Sequence, residues 1–225
     1  LDLIDSRQPH PISFFEAMTA LAFVALAEYP VDVAVIEAGM GGEWDATNVV
    51  SSQVSVITPI GLDHTEYLGE TIEEIAQTKS GIIKPESHVV LAAQPVEAAK
   101  ILTAKILEKS AIPYREGLEF SVAKRDIAVG GQVVAINGVH GLYTDIFIPL
   151  YGAHQASNAA LALAAINNLF LRRAPMARAS PLARMPLSTR PPEKNQHGGG
   201  FLNLLIVPLL CRQFCTRNRL NLEMP

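Results

Sequence analysis

Three short runs rich in Val and Ile, at residues 31–38, 54–60 and 88–93, constrain the fold of this chain more than any other feature. Each is apolar at most positions rather than at every second one, which is the pattern of strands covered on both faces in a parallel sheet. Parallel neighbours need crossovers, and helix signals fill the intervals. Ser13 followed by Glu16, and Thr71 followed by Glu74, form capping boxes that start helices. The first helix is expected to continue through residues 17–29 and to end with help from Pro30. The second should run to about Ser80 with Gly81 as its C-terminal stop, and the third from Pro95 to about Lys109. Residues 118–151 alternate around Gly130-Gly131 and Asn137-Gly138, which reads as antiparallel hairpins appended to the sheet. A final helix is expected from Gln155 to about Leu171. The fold class is therefore α/β, doubly wound around a mostly parallel sheet.

Composition divides the chain. Of 225 residues, 49% are apolar and 18% charged, ordinary for a globular protein. Residues 1–171 carry 9 Lys+Arg against 20 Asp+Glu, and residues 172–225 carry 9 against 2, giving charges of −11 and +7. The second part is an unpatterned basic tail, rich in Arg and Pro, with three consecutive glycines at 198–200 and an apolar stretch at 201–210. Loss of periodicity in mid-element reads as a frameshifted or degraded gene end, or as disorder. The expected division is a domain at 1–171 and the tail at 172–225. Cys211 and Cys215 form neither a disulfide framework nor a zinc signature. The net charge of −4 gives no basic face for nucleic acid, and no apolar run approaches the roughly 20 residues of a membrane span. A cytoplasmic location is expected.

In a doubly wound sheet, chemistry collects at the C-terminal ends of the strands. After the first run stands Glu37, leading into Gly39, Gly41 and Gly42 and then Glu43, Trp44, Asp45, Ala46, Thr47 and Asn48. Glu37 is either a structural acid or a ligand at a glycine turn. After the second run stand Gly61, Leu62, Asp63 and His64, a polar turn or a source of oxygen and nitrogen ligands. Adjacent parallel strands would bring Glu37 and His64 to one edge, where magnesium completed by nucleotide phosphates is the natural ion.

The strings at 37–48, 61–69 and 79–85, the last reading Lys-Ser-Gly-Ile-Ile-Lys-Pro, occur in the order of the folylpolyglutamate synthases, often bifunctional with dihydrofolate synthase, of the Mur ligase superfamily. The chain resembles that family over about 160 of its 225 residues, ending with Gly-Ala-His-Gln-Ala-Ser-Asn at 152–158. The resemblance implies the superfamily's central, P-loop-type domain. It implies that Glu37 and His64 bind Mg2+ and that Lys79 is carbamylated, acting on a metal or a phosphate. Without it, Lys79 is a solvated residue at a helix end. Ser13, Phe14, Phe15, Glu16, Trp44 and Ala46 are placed by resemblance around the pterin. The residues alone explain Ser13 and Glu16 as a capping box and Phe14 and Phe15 as core. Asn158, with His154 and Gln155, resembles the contact to the ATP base, and a helix-start amide is also a cap. Glu43 stands where the family often has Arg.

The implied reaction is ATP-dependent addition of glutamate to folate or dihydropteroate through an acyl phosphate. Two other readings are an inactive relic keeping a metal or folate site, and a ligase for cell-wall precursors. No Gly-x-x-x-x-Gly-Lys-Ser/Thr string occurs in the 225 residues, so the chain is expected to be incomplete at both ends.

Overall fold

The computed structural model describes residues 10–29 and 31–170. Helix α1 spans Phe14–Glu28, a short 3-10 helix spans Ala46–Val49, and strand β1 spans Val54–Ile57. Helices α2 (Thr65–Leu68) and α3 (Ile72–Ser80) lead to β2 (His88–Leu91), and α4 (Val96–Glu108) leads to β3 (Ile112–Arg115). Strands β4 (Ser121–Ala128), β5 (Gly131–Gly138) and β6 (Gly141–Ile148) precede α5 (Ala153–Phe170). The basic tail lies outside the described residues, as does Leu171.

Strands β1, β2 and β3 form a parallel sheet in that order, with Val54 opposite His88 and His88 opposite Ile112. Successive side chains of a strand point to opposite faces, and the core follows that rule. Ile57, Val89 and Leu91 pack with Ile75, Ala76, Ala98, Leu102 and Ile106 of the crossover helices α3 and α4. Val56 and Val90 point the other way and pack on Ala156, Ala160, Leu161, Ala164 and Ala165 of α5. Helices therefore cover both faces, as a doubly wound sheet requires. Ile75 and Leu102 are fully buried, and truncating either to Ala would cost about 2–5 kcal/mol.

Both capping boxes form. Ser13 Oγ accepts the Glu16 amide at 3.2 Å while Glu16 accepts the Ser13 amide at 2.8 Å, and Thr71 and Glu74 repeat the exchange at 3.2 and 3.1 Å. Gly81 caps α3 as expected, but with right-handed backbone angles of φ −61° and ψ −15°. Space rather than left-handed geometry demands glycine there, as the site shows.

The structure departs from the sequence reading at four places. Residues 31–38 join no ladder among the described residues. A cavity of about 80 Å³, lined by Ile36, Ala38, Val54, Ser55 and Val56 among others, lies where that segment would have to meet β1. None of residues 31–38 is buried, so the apolar run gains neither the burial its pattern suggests nor the strand partner a ladder needs. Strands β1 and β2 are also shorter than expected. Beyond them the Gln94 side chain replaces the ladder, accepting from the Ile60 amide at 3.0 Å and donating to the Thr58 carbonyl at 2.9 Å. Strand β3 was not among the expected strands; it contains Pro113, and as an edge strand it tolerates the missing N–H. The antiparallel hairpins form as expected, in their own sheet β4-β5-β6, linked to the first by the Glu116–Phe120 bridge and by shared packing on α5. The β5–β6 turn falls at Val139-His140, and Asn137 and Gly138 stay in β5.

Candidate functional site

The turn at 37–48 and the end of α3 are built into each other. Gly42 lies so close to α3 that a Cβ there would stand 2.9 Å from the Thr78 carbonyl oxygen and 3.0 Å from that of Lys79. A Cβ on Gly41, whose φ is +71°, would meet Leu68 and Thr78 side chains at 2.9 Å. The Glu43 amide donates to the Thr78 carbonyl at 2.9 Å. Glycines are needed here for close approach of two backbones, the more so at Gly41 with its positive φ.

Polar side chains then fix the turn's shape. Asp45 caps the 3-10 helix, accepting from the Thr47 amide at 2.9 Å, and reaches back to the Met40 amide at 3.0 Å. Asn48 donates to the carbonyls of Glu43 and Gly81, each at 3.1 Å. Lys84 in turn donates to the Asn48 carbonyl at 2.7 Å and to its Oδ1 at 2.8 Å. Burial, with the charge of Lys109 second, holds the Lys84 ammonium below the usual lysine pKa. Asn48 and Lys84 were inside the quoted strings but had no role assigned. Their bonds join positions 36 residues apart, which no local pattern reports.

This interlock brings the backbone of Lys79 beside the turn that follows Glu37. Glu37 and Lys79 are both half-buried. His64 follows β1 and is the N-cap of α2, with the left-handed angles φ 52° and ψ 39°. That conformation is uncommon for a residue with a Cβ, although His tolerates it better than most. Asp63 supports it by accepting the His64 amide at 2.9 Å, and its second oxygen stands 3.6 Å from His64 Nε2.

No group of three or more His, Cys, Asp or Glu side chains among the described residues forms a metal cluster. Glu37 and His64 offer one oxygen and one nitrogen donor. A set of two leaves most of an octahedron to phosphate oxygens and water, which fits magnesium held jointly with a nucleotide.

Of the set expected around the pterin, the structure brings Phe15 and the 3-10 helix that starts at Ala46 together at the turn. Phe15 lies against Gly39, where a Cβ would stand 2.6 Å from its ring, and α1 packs against the 3-10 helix that Ala46 begins. Phe14 and Trp44 are 82% and 73% exposed, so the expectation that Phe14 is core does not hold. Phe15, at 44%, is also outside the core. Glu16 is committed to its cap, and the Ser13 hydroxyl, then the Ser13 amide, hold its carboxyl below the usual range.

The second cluster sits at the start of α5. His154 is exposed and folds back over Gly152, Gln155 is buried, and Asn158 is half-buried. This helix start is tied to the C-terminal ends of β2 and β3 by Glu116, which accepts from the Ser157 hydroxyl and from the Ala93 amide. Gln132 of β5 donates to the Gly152 carbonyl at 3.0 Å, fixing the turn before α5 from the other sheet. The sequence reading missed Glu116, Ser157 and Gln132. The start of α5 thus lies at the C-terminal ends of β2 and β3, and His64 follows the C-terminal end of β1, where ligands of open α/β sheets bind.

Comparison with known proteins fits this geometry. Residues 5–166 match the Mur ligase middle domain. The dihydrofolate synthase/folylpolyglutamate synthase of Mycobacterium tuberculosis is 49% identical over 165 residues, covering 71% of this chain and 34% of that protein. The folylpolyglutamate synthase of Lacticaseibacillus casei is 39% identical over 152 residues, covering 68% and 36%. Among solved structures, the Mycobacterium tuberculosis folylpolyglutamate synthase complexed with ADP and AMPPCP superposes with a TM-score of 0.71 at 48% identity, covering 75% of this chain and 40% of that one. A folylpolyglutamate synthase complexed with AMPPCP and folate gives 0.72 at 36% identity, covering 75% and 42%. The chain spans about a third of the length of these curated relatives. It belongs to the Mur ligase middle-domain family, and its relatives there are the folylpolyglutamate and dihydrofolate synthases.

Proposed function

We propose that this chain is the nucleotide-handling part of an ATP-dependent ligase that adds glutamate to folate or dihydropteroate. The observation that carries the reading is the interlock of the turn at 37–48 with the end of α3. It holds the turn that follows Glu37 against the backbone of Lys79. The relatives' solved complexes with ADP, AMPPCP and folate support the same substrates.

In this reading Glu37 and His64 hold Mg2+, which when bound neutralises charge on the nucleotide phosphates. Lys79, as a carbamate, presents an anionic oxygen to metal or phosphate. His154, Gln155 and Asn158 at the start of α5 face the ATP base. Ser13, Phe14, Phe15, Glu16, Trp44 and Ala46 border the pterin, and the exposed rings of Phe14 and Trp44 leave apolar faces open to it. The γ-phosphate passes to the substrate carboxylate, giving an acyl phosphate that the glutamate amine attacks with loss of phosphate. Catalysis is positioning and charge neutralisation, with no covalent enzyme intermediate. Domain limits of 1–171 and 172–225 and a cytoplasmic location belong to the same proposal.

The test is a chimera in which residues 10–170 replace the matching segment of the Mycobacterium tuberculosis relative. It should join glutamate to folate or dihydropteroate with ATP, and Glu37→Gln or His64→Ala should lower the rate on the order of 100-fold or more. A folded chimera that binds no AMPPCP would sink the proposal and leave the relic reading.

A further inference from the structure

Lys84 and Asn48 do more than fill space. The ammonium of Lys84 is directed at two oxygens of one residue, the carbonyl and the Oδ1 of Asn48, at 2.7 and 2.8 Å. With Oδ1 taken by a cation, the amide of Asn48 must point its nitrogen the other way, and Nδ2 spans the Glu43 and Gly81 carbonyls at 3.1 Å each. Those two carbonyls belong to the two strings that the glycines press together. Lys84 therefore selects the amide orientation that staples the turn to α3. An Asn flipped about its amide would present nitrogen to the ammonium and oxygen to two carbonyls, a repulsive contact on both sides.

We propose that Lys84, acting through Asn48, is a positioning residue that clamps the turn at 37–48 onto the last turn of α3 and so sets Glu37 and Lys79 relative to each other. Neither residue need touch a substrate for this. The consequence for catalysis rests on the proposed ligase function, whereas the clamp is a property of the fold alone.

Amide hydrogen exchange on the full 225-residue chain tests the clamp, with residues 121–148 of the second sheet as internal reference. Lys84→Met should raise exchange across residues 39–50 about tenfold or more, as expected for losing a charge-assisted hydrogen bond, with the reference unchanged. Asn48→Asp keeps the partner of Lys84 and removes both Nδ2 bonds, and it should loosen the same residues. Lys84→Arg should restore most of the protection. If Lys84→Met does not fold, Asn48→Asp and Lys84→Arg decide in the same way. Exchange unchanged at 39–50, or raised equally at 121–148, would overturn the clamp.

In the chimera described above, Lys84→Met should lower kcat by about 100-fold with little change in the KM for folate, the effect expected of a site misplaced by about 1 Å, and Lys84→Arg should recover part of it. A loosened turn with unchanged kcat would overturn the positioning role. A parent chimera without activity would count against the ligase reading, and the exchange experiment would still decide the clamp.

Discussion

A Cβ added to Gly81 would stand 2.5 Å from the Cα of Glu43, so the backbones of the glycine turn and the end of α3 meet too closely there for any side chain at 81. Contact with a backbone atom cannot be relieved by a rotamer change.

Gly81→Ala should therefore destabilise the fold by about 1–3 kcal/mol, even though its right-handed angles suit Ala and helix propensity alone would favour the change. Gly61→Ala is the control, because nothing lies within 4 Å of a Cβ there. Urea unfolding of the two variants should separate them, and equal midpoints would refute the packing argument.

Asp45 gives a sharper prediction, since its two oxygens have different partners. Asp45→Ala should cost about 1 kcal/mol as a lost cap. Asp45→Asn can keep the Thr47 bond with its one oxygen and must then abandon the Met40 amide. Its expected signature is faster exchange of the Met40 amide with protection at Thr47 retained.

These contrasts show what was legible in the sequence. Both capping boxes were readable because donor and acceptor sit three residues apart, and β1 and β2 because burial on two faces leaves unbroken apolar runs. The run at 31–38 carried the same signal and no ladder, because pairing is decided by what lies alongside. Candidate ligands were visible as types in order. The Lys84–Asn48 bonds, the Glu116–Ser157 bond and the fit of Gly42 against α3 are contacts across 36 or more residues, and only the folded chain brings them together.

Helix α1 carries exposed Leu21 and Val24, 62% and 56% accessible, and contains no buried residue. Replacing both with Ser should change the unfolding free energy by less than about 1 kcal/mol, because little burial is lost. Binding of a hydrophobic dye to the chain should fall at the same time. A large cooperative loss of stability would mean that Leu21 and Val24 are buried in solution.

Acid should weaken the link between β3 and β4. Arg115 bonds to both oxygens of Glu119, at 2.5 and 3.2 Å, and that guanidinium bond foremost holds the Glu119 carboxyl below its ordinary value of 4.5. A carboxylate with a lowered folded pKa stabilises the fold above the unfolded value, and the contribution is lost as pH falls through the folded value. The partly exposed pair contributes under about 1 kcal/mol. Glu119→Gln should therefore be slightly less stable than the parent at pH 7 and should lose the difference at acidic pH, measured by urea midpoints across the range.

Ser157 and Glu116 join α5 to the ends of β2 and β3, and the bond runs from a neutral hydroxyl to a carboxylate that also holds the Ala93 amide. Bonds to charged acceptors contribute more than neutral ones, so Ser157→Ala should cost about 1.5–3 kcal/mol. Glu116→Gln weakens the same acceptor and should make the second loss smaller. A double-mutant cycle in urea isolates the shared part, and a coupling energy near zero would show that the two side chains hold α5 independently. Because His154, Gln155 and Asn158 lie on either side of Ser157, Ser157→Ala should also speed amide exchange through the first turns of α5 while residues 121–148 keep their protection.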